Sequence, residues 1–342
     1  MWPRAFKILG VVGVAGAGLR YYCKGGVNTY KPDLEGKIVI VTGGNAGIGK
    51  ETARRLNRLK AKVIILGRDT DKANDFIQDV YLENKQNNRR TRKIRFYKVD
   101  FTNLEELKKF ADDFSNQYDR LDILINNAGA NFPELSRTAK GQEKTMAVNH
   151  LAPCYLTHLL MPMLKDTPES RVINVSSRAH YRDDGFGTLV PNMADYFFDK
   201  VVPETYRYRL AYNTSKLANV LFAKGLASYL EKNKLNIKTC SLHPGVVRSE
   251  FWRDMPLVVK AFSYLGYPLL WTLTKSEHEG AETTLHCSLM PFKELKNGAY
   301  YSDCAIKEPS IHSTNSDNIA QSWQITNQRL KEITGDRTIF DQ

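Results

Sequence analysis

Residues 37–67 restrict the fold more than any other stretch. Lys37-Ile-Val-Ile-Val-Thr42 is a short β-branched run that reads as a buried strand. Gly43-Gly-Asn-Ala-Gly-Ile-Gly49 follows at once. Residues 50–60 (KETARRLNRLK) then read as a helix, with Ala53, Leu56 and Leu59 at helical spacing. A second apolar run, Lys62-Val-Ile-Ile-Leu-Gly67, completes a strand–helix–strand unit, the building block of a parallel sheet covered by helices. Glycines let the backbone turn tightly and come close to an anionic group. The helix behind them offers unpaired N–H groups and the positive end of its dipole. This is the context a dinucleotide fingerprint needs, although the spacing is Gly43-x3-Gly47-x-Gly49.

Two further apolar runs extend the sheet. Leu121-Asp-Ile-Leu-Ile125 is terminated by Asn126-Asn-Ala-Gly129, and Arg171-Val-Ile-Asn-Val-Ser-Ser177 ends in two hydroxyls. Ligands of open α/β sheets bind beyond the carboxyl ends of the strands, where these turns converge. Tyr212 and Lys216, in Ala211-Tyr-Asn-Thr-Ser-Lys216, lie four residues apart, so a helix stacks them on one face. An ammonium beside a phenol favours the phenolate and lowers the tyrosine pKa, which makes the pair a proton-transfer device.

Taken in order, these pieces resemble the short-chain dehydrogenase/reductase family. The matching segments are 42–49, Asp100, 126–129, Asn149, Ser177, Tyr212-x-x-x-Lys216 and His243-Pro-Gly245, and they cover residues 36–305. The pieces GIGKETA, VNHLAPCYLT, VINVSSRAH and HPGVV are similar to the membrane-associated retinol dehydrogenase-like group. The resemblance implies a doubly wound parallel sheet with helices on both faces. It implies that Tyr212 exchanges a proton with a carbonyl oxygen, and that Lys216 tunes Tyr212 and bonds the nicotinamide ribose. Ser177 is expected to hydrogen-bond the oxyanion; Ser176, its neighbour on an alternating strand, should face away. Asn149 is expected to hold a proton-relaying water, with a buried amide satisfying backbone as the alternative. The implied cofactor-binding set is Gly43, Asn45, Gly47, Ile48, Gly49, Arg68, Asp100, Asn126, Ala128, Gly129, Tyr212, Lys216, Pro244, Gly245 and Val247. Asp100 has a second reading as the cap of the following helix, a task Thr102 or Asn103 could also perform.

Cofactor choice rests on the end of the second strand, Leu66-Gly67-Arg68-Asp69. An acid there would accept a ribose 2′-OH; Gly67 stands in its place, and Arg68 can pair with a 2′-phosphate. The expectation is NADP(H), opposed only by Asp69 should it turn inward. The implied substrate is a lipophilic aldehyde or ketone and its alcohol, best exemplified by retinal and retinol. A hydroxysteroid or long-chain aldehyde is the alternative within enzymes, and a non-catalytic NADP-binding scaffold the alternative outside them. Ser177 and Tyr212 are 35 residues apart, more than most of the family, and 178–210 is expected to form a loop or short helix beside the substrate entrance.

At 342 residues, one large domain (36–305) fits, with a leading segment (1–30) and a C-terminal helical extension (306–342). The five cysteines are scattered and lack metal-ligand spacing, which points to reduced thiols. The net charge of +12 gathers partly in Lys85–Arg95, a solvated connection, and no nucleic-acid module accompanies it. Residues 1–30 are basic and free of acids, and Ile8–Leu19 is apolar but shorter than a bilayer span. They read as a membrane anchor of an endoplasmic-reticulum enzyme, with a mitochondrial presequence as the alternative. The apolar, aromatic stretch 251–271 is expected to cover the substrate, to pack as buried helices or to touch a membrane. Oligomeric state is open; a homo-oligomer is compatible with the chain.

Overall fold

Strands alternate their side chains between two faces, and here both faces are apolar, so each must be covered by helices. The computed structural model describes residues 18–89, 93–182, 200–248, 272–336 and 338–339. Their strands are β1 (Ile38–Thr42), β2 (Lys62–Gly67), β3 (Arg95–Lys98), β4 (Ile123–Asn126), β5 (Ser170–Val175), β6 (Ile237–His243), β7 (Ala299–Ser302) and β8 (Ala305–Ile306). They form one sheet in the order β3-β2-β1-β4-β5-β6-β7-β8. All neighbours pair in parallel except β7 and β8, which close a tight antiparallel hairpin. The expected doubly wound parallel sheet is therefore the fold, with one antiparallel edge strand added.

The helices that matter for the site are α1 (Gly47–Arg58), α2 (Thr70–Gln86), α3 (Leu104–Gln117), α4 (Ala152–Leu159), α5 (Tyr208–Lys232), α6 (Glu277–Leu289) and α7 (Ser316–Thr334). One face of the sheet, with Ile38, Ile40, Ile64, Leu66, Leu124 and Val172, packs on α3, α4 and α5. The other, with Val39, Val41, Val63, Ile65, Ile125 and Ile173, packs on α1, α2 and α6. The order reverses between β1 and β4. A crevice therefore opens at their carboxyl ends, beside Gly43 and Asn127.

The C-terminal helix α7 lies on α5. Trp323 stacks on Phe222 and Tyr229, with ring centroids 6.3 and 6.2 Å apart. Gly225 makes room for it, since a Cβ there would stand 2.6 Å from Trp323 Cε3. The segments 8–17 and 251–271, and residues 183–199 of the expected entrance insertion, lie outside the described residues. No helix of the described residues is long and apolar enough to cross a membrane.

Trp323 is half-buried and contributes its ring to this contact beside the buried Ile325 and Leu330. Trp323→Ala should lower the free energy of unfolding by about 3 kcal/mol. Chemical denaturation measures this, and a change within experimental error would show that α7 adds no stability through its ring.

Candidate active site

Helix α5 is buried along most of its length and runs against the end of β5. Three bonds fix it there. Ser176 Oγ donates to Lys216 O at 2.6 Å, Lys216 Nζ donates to Val175 O at 3.2 Å, and Asn219 Nδ2 donates to Val175 O at 3.4 Å. Ser176 is thus spent on the helix backbone, while Ser177 is left for Tyr212, whose phenol pKa its hydroxyl lowers. Strand alternation divides the two serines as expected.

The electrostatics differ from the sequence expectation. Lys216 was expected to lower the Tyr212 pKa, yet its Nζ lies over the ring face, 5.6 Å from the centroid. Burial dominates and pushes the phenol up to about 12, with the Ser177 hydrogen bond acting in the opposite direction. Burial also brings the Lys216 ammonium down to about 8.

Asn149 sits in a π-helical turn, Ala147–Leu151, that leads into α4. Its Oδ1 accepts from Ala130 N at 2.7 Å, and its Nδ2 donates to Ala130 O and Ser215 Oγ, both at 2.9 Å. Both amide protons are therefore used. The side chain satisfies the backbone of Ala130 and the Ser215 hydroxyl, and any water it holds must donate to the remaining lone pair of Oδ1. It fixes the loop after β4 so that Gly129 faces the lysine; a Cβ at Gly129 would stand 3.2 Å from Lys216 Nζ.

The crevice at the switch point is built from close backbone approaches. Gly43 and Gly47 have φ of +64° and +53°. A Cβ on Gly49 would lie 2.3 Å from Gly43 O, so α1 reaches the turn only with glycine there. Helix α1 starts without a side-chain cap and has no acid in its first turn, which leaves its N–H groups for an anion. Ile48 and Val247 meet over Gly280 of α6. Gly245, at φ +101° after the buried Pro244, packs on the stem of Lys275, whose Nζ pairs with Asp303 Oδ1 at 2.6 Å.

At the end of β2, Asn45 Nδ2 donates to Asp69 O at 3.1 Å, and Asn45 Oδ1 would lie 2.7 Å from a Cβ on Gly67. Asp69 does not turn inward: it caps α2, accepting from Lys72 N at 3.1 Å. Arg68 is exposed and has no hydrogen-bond or ion-pair partner among the described residues. Asp100 uses Oδ1 to hold Thr102 N and Oγ1, both at 2.9 Å, while Asn103 caps α3.

One assignment needs correction. The Asn126 side chain is 3% exposed and donates to Asn174 Oδ1 at 3.0 Å and Thr157 Oγ1 at 3.2 Å. It is taken up inside the sheet rather than at the ligand edge. The neighbour, Asn127, does the shaping: its Nδ2 donates to Thr42 O at 2.8 Å. Thr42 Oγ1 in turn accepts from Asn127 N and Ala128 N, both at 2.9 Å. Asn127 was missed because two adjacent asparagines at a strand end look alike in sequence.

The sequence reading gave no role to two buried histidines, His180 and the His243 of the His243-Pro-Gly245 match. Ser177 begins a short 3-10 turn, Arg178–Tyr181, and its Oγ accepts from Ala179 N at 3.2 Å. His180 Nδ1 lies 2.6 Å from Ser177 O, and Arg178 N donates to His243 Nδ1 at 3.1 Å. The peptide between Ser177 and Arg178 is thereby held at both poles by imidazoles. The local hint was the three-residue step from Ser177 to His180; His243 lies 65 residues from its partner.

The family described as short chain dehydrogenase matches residues 37–186. Retinol dehydrogenase 12 of Homo sapiens is 36% identical over 312 residues, 90% of this chain and 90% of that protein. This chain is a short-chain dehydrogenase/reductase of the retinol dehydrogenase-like group. Retinol dehydrogenase 11 of Homo sapiens is 34% identical over 308 residues, again 90% of each chain. An uncharacterised protein from Mycobacterium Paratuberculosis has a solved structure that superposes with a TM-score of 0.67. It is 25% identical and covers 90% of this chain and 98% of its own. As an oxidoreductase of this family the chain takes a nicotinamide dinucleotide. The residues present fit such a group: the uncapped α1 terminus faces the glycine turn, and Lys216 is buried with one of its three donors placed on Val175 O. The candidate residues of this short-chain dehydrogenase/reductase thus fall beside one another at the carboxyl ends of β1, β4 and β5.

Buried imidazoles give this dehydrogenase an acid limit. Burial holds His150 and His180 at about 4 and His243 at about 3, below the ordinary value of 6.5. Between about 6.5 and 4 the unfolded chain binds more protons than the folded one, so their contribution is full above 6.5 and is lost as pH falls through that window. The melting temperature should fall by several degrees from pH 7.5 to pH 5, and more steeply below. A flat profile down to pH 4.5 would contradict the assigned neutral forms.

Proposed function

We propose that this chain is an NADP(H)-dependent reductase of lipophilic aldehydes and ketones, with retinal as its substrate. The observation that carries the reading is the docking of the Tyr212–Lys216 face of α5 on the end of β5, with a phenol that burial keeps protonated. A protonated phenol beside a hydroxyl suits donation to a carbonyl oxygen. The names of the relatives, retinol dehydrogenases at 34–36% identity over 90% of the chain, support retinal as the substrate class.

Bound NADPH supplies the hydride to the carbonyl carbon. Ser177 Oγ orients the carbonyl oxygen and stabilises the charge that develops on it. Tyr212 gives that oxygen its proton. Lys216 holds the ribose hydroxyls. Asn149, through Ala130 and Ser215, keeps the loop and helix on either side of Lys216 in register. Arg68 selects the 2′-phosphate, a reading supported by its exposure at the end of β2 and by Asp69 being engaged as a helix cap. A lipophilic substrate suits delivery from a membrane, to which the basic, apolar segment 1–30 would tether the chain.

Two measurements test this. Detergent-solubilised protein should oxidise NADPH when all-trans-retinal is added, and Tyr212→Phe should lower kcat by about 100-fold or more while NADPH still binds. Binding of NADPH without turnover on retinal, steroid ketones or long-chain aldehydes would overturn the enzymatic reading in favour of a scaffold. For cofactor choice, Arg68→Ala should raise the KM for NADPH at least tenfold and leave that for NADH within about twofold. Equal rises would remove Arg68 from the selection.

A further inference from the structure

We propose that His180 is a positioning residue for Ser177, and that the segment after β8 keeps it in the required tautomer through Ser310. The inference rests on the reading of Ser177 as the group that orients the substrate oxygen. His180 is fully buried. Its Nδ1 lies 2.6 Å from Ser177 O, an atom that can only accept, so Nδ1 carries the proton. Its Nε2 accepts from Ser310 N, a group that can only donate, at 3.2 Å. The two bonds leave one neutral tautomer, and the ring is clamped between Tyr181 and Tyr300 at centroid distances of 3.9 and 4.7 Å. Tyr181 OH also donates to Glu308 O, which ties the same turn to the same segment a second time.

The consequence is geometric. Ser177 keeps an extended backbone, φ −156° and ψ 160°, at the head of the turn, and its carbonyl is pinned by His180 while the next N–H is pinned by His243. With both poles of that peptide fixed, Ser177 Oγ, which accepts from Ala179 N at 3.2 Å, is held at the end of β5 beside α5. Ser177 O also accepts from His180 N at 3.2 Å, so losing the imidazole bond loosens this peptide and shifts the hydroxyl without releasing the turn. Residues 130 positions away in sequence therefore set the aim of the serine.

The test is a double-mutant cycle on NADPH-linked retinal reduction. Ser177→Ala should lower kcat by about 100-fold. His180→Phe keeps the ring packing and removes both bonds; it should lower kcat about tenfold or more, with the KM for NADPH within about twofold of wild type. In the Ser177→Ala background the same change should cost nothing further. His180→Asn, whose amide N–H can still reach Ser177 O, should recover most of the activity. Ser310→Pro tests the far end and stands in if His180→Phe does not fold. Ser310 has φ of −58°, which proline adopts, and its Oγ is buried without a partner, so the lost N–H is the main change. It should lower kcat severalfold, again only when Ser177 is present. Losses that multiply in the double variant, or unchanged kcat in both His180→Phe and Ser310→Pro, overturn the proposal while leaving Ser177 in its role. Wild-type turnover by Ser177→Ala overturns the underlying reading instead.

Discussion

The bond from Ser176 Oγ to Lys216 O is the joint on which the site depends. Helix α5 contributes one face, carrying residues 212, 216 and 219, and that face meets two successive residues at the end of β5. Val175 O receives Lys216 Nζ and Asn219 Nδ2, and Ser176 reaches the helix backbone between them. With the helix docked at that level, a residue one turn earlier and a residue one step further along the strand must meet. Those residues are Tyr212 and Ser177. The proton donor and its hydroxyl partner are thus aligned by contacts that neither of them makes.

Much of the rest of the chain serves this joint. The π turn at Ala147–Leu151 brings Asn149 to both the loop after β4 and Ser215 of α5, so it spans the lysine from above and below. Next to it, His150 is fully buried between Asn219 of α5 and Thr326 of α7. Trp323 then closes the outer face of α5 over Gly225. The C-terminal segment therefore reaches the site by two polar routes, through Thr326 and through Ser310, as well as by packing. Buried polar groups of this kind stabilise only when each is partnered, and they specify one arrangement because alternatives leave them unpartnered.

The fold and the reactive pair were legible because their signals are local. The run Ile38–Thr42, the glycine turn and the four-residue step from Tyr212 to Lys216 each fix structure within a few residues. Selection between adjacent candidates was legible where a periodic rule applied: strand alternation separated Ser176 from Ser177. It failed where no rule applied, as between Asn126 and Asn127, because the end of a strand breaks the alternation that would have distinguished them. His180 and His243 were not legible, since their meaning lies in partners 130 and 65 residues away. The influence of Lys216 on Tyr212 was misjudged for a different reason. Spacing gives which face two residues share, and says nothing of how far each is withdrawn from water.

That withdrawal bears on pH dependence. Burial raises the phenol and lowers the ammonium, so both Tyr212 and Lys216 are biased toward their neutral forms. A neutral phenol is the starting state for protonating a carbonyl oxygen. Taking a proton from an alcohol needs the phenolate, which a pKa of about 12 makes scarce at neutral pH. The Ser177 hydrogen bond works against burial, and it does so only while the Ser177–Arg178 peptide holds the hydroxyl toward the ring. The pKa therefore shapes the pH dependence of each direction: carbonyl reduction starts from the form that predominates at neutral pH, and alcohol oxidation should rise with pH as the phenolate grows. The turn at Ser177 bears on that profile, because Ser177 is the contact that draws the phenol back toward ionisation.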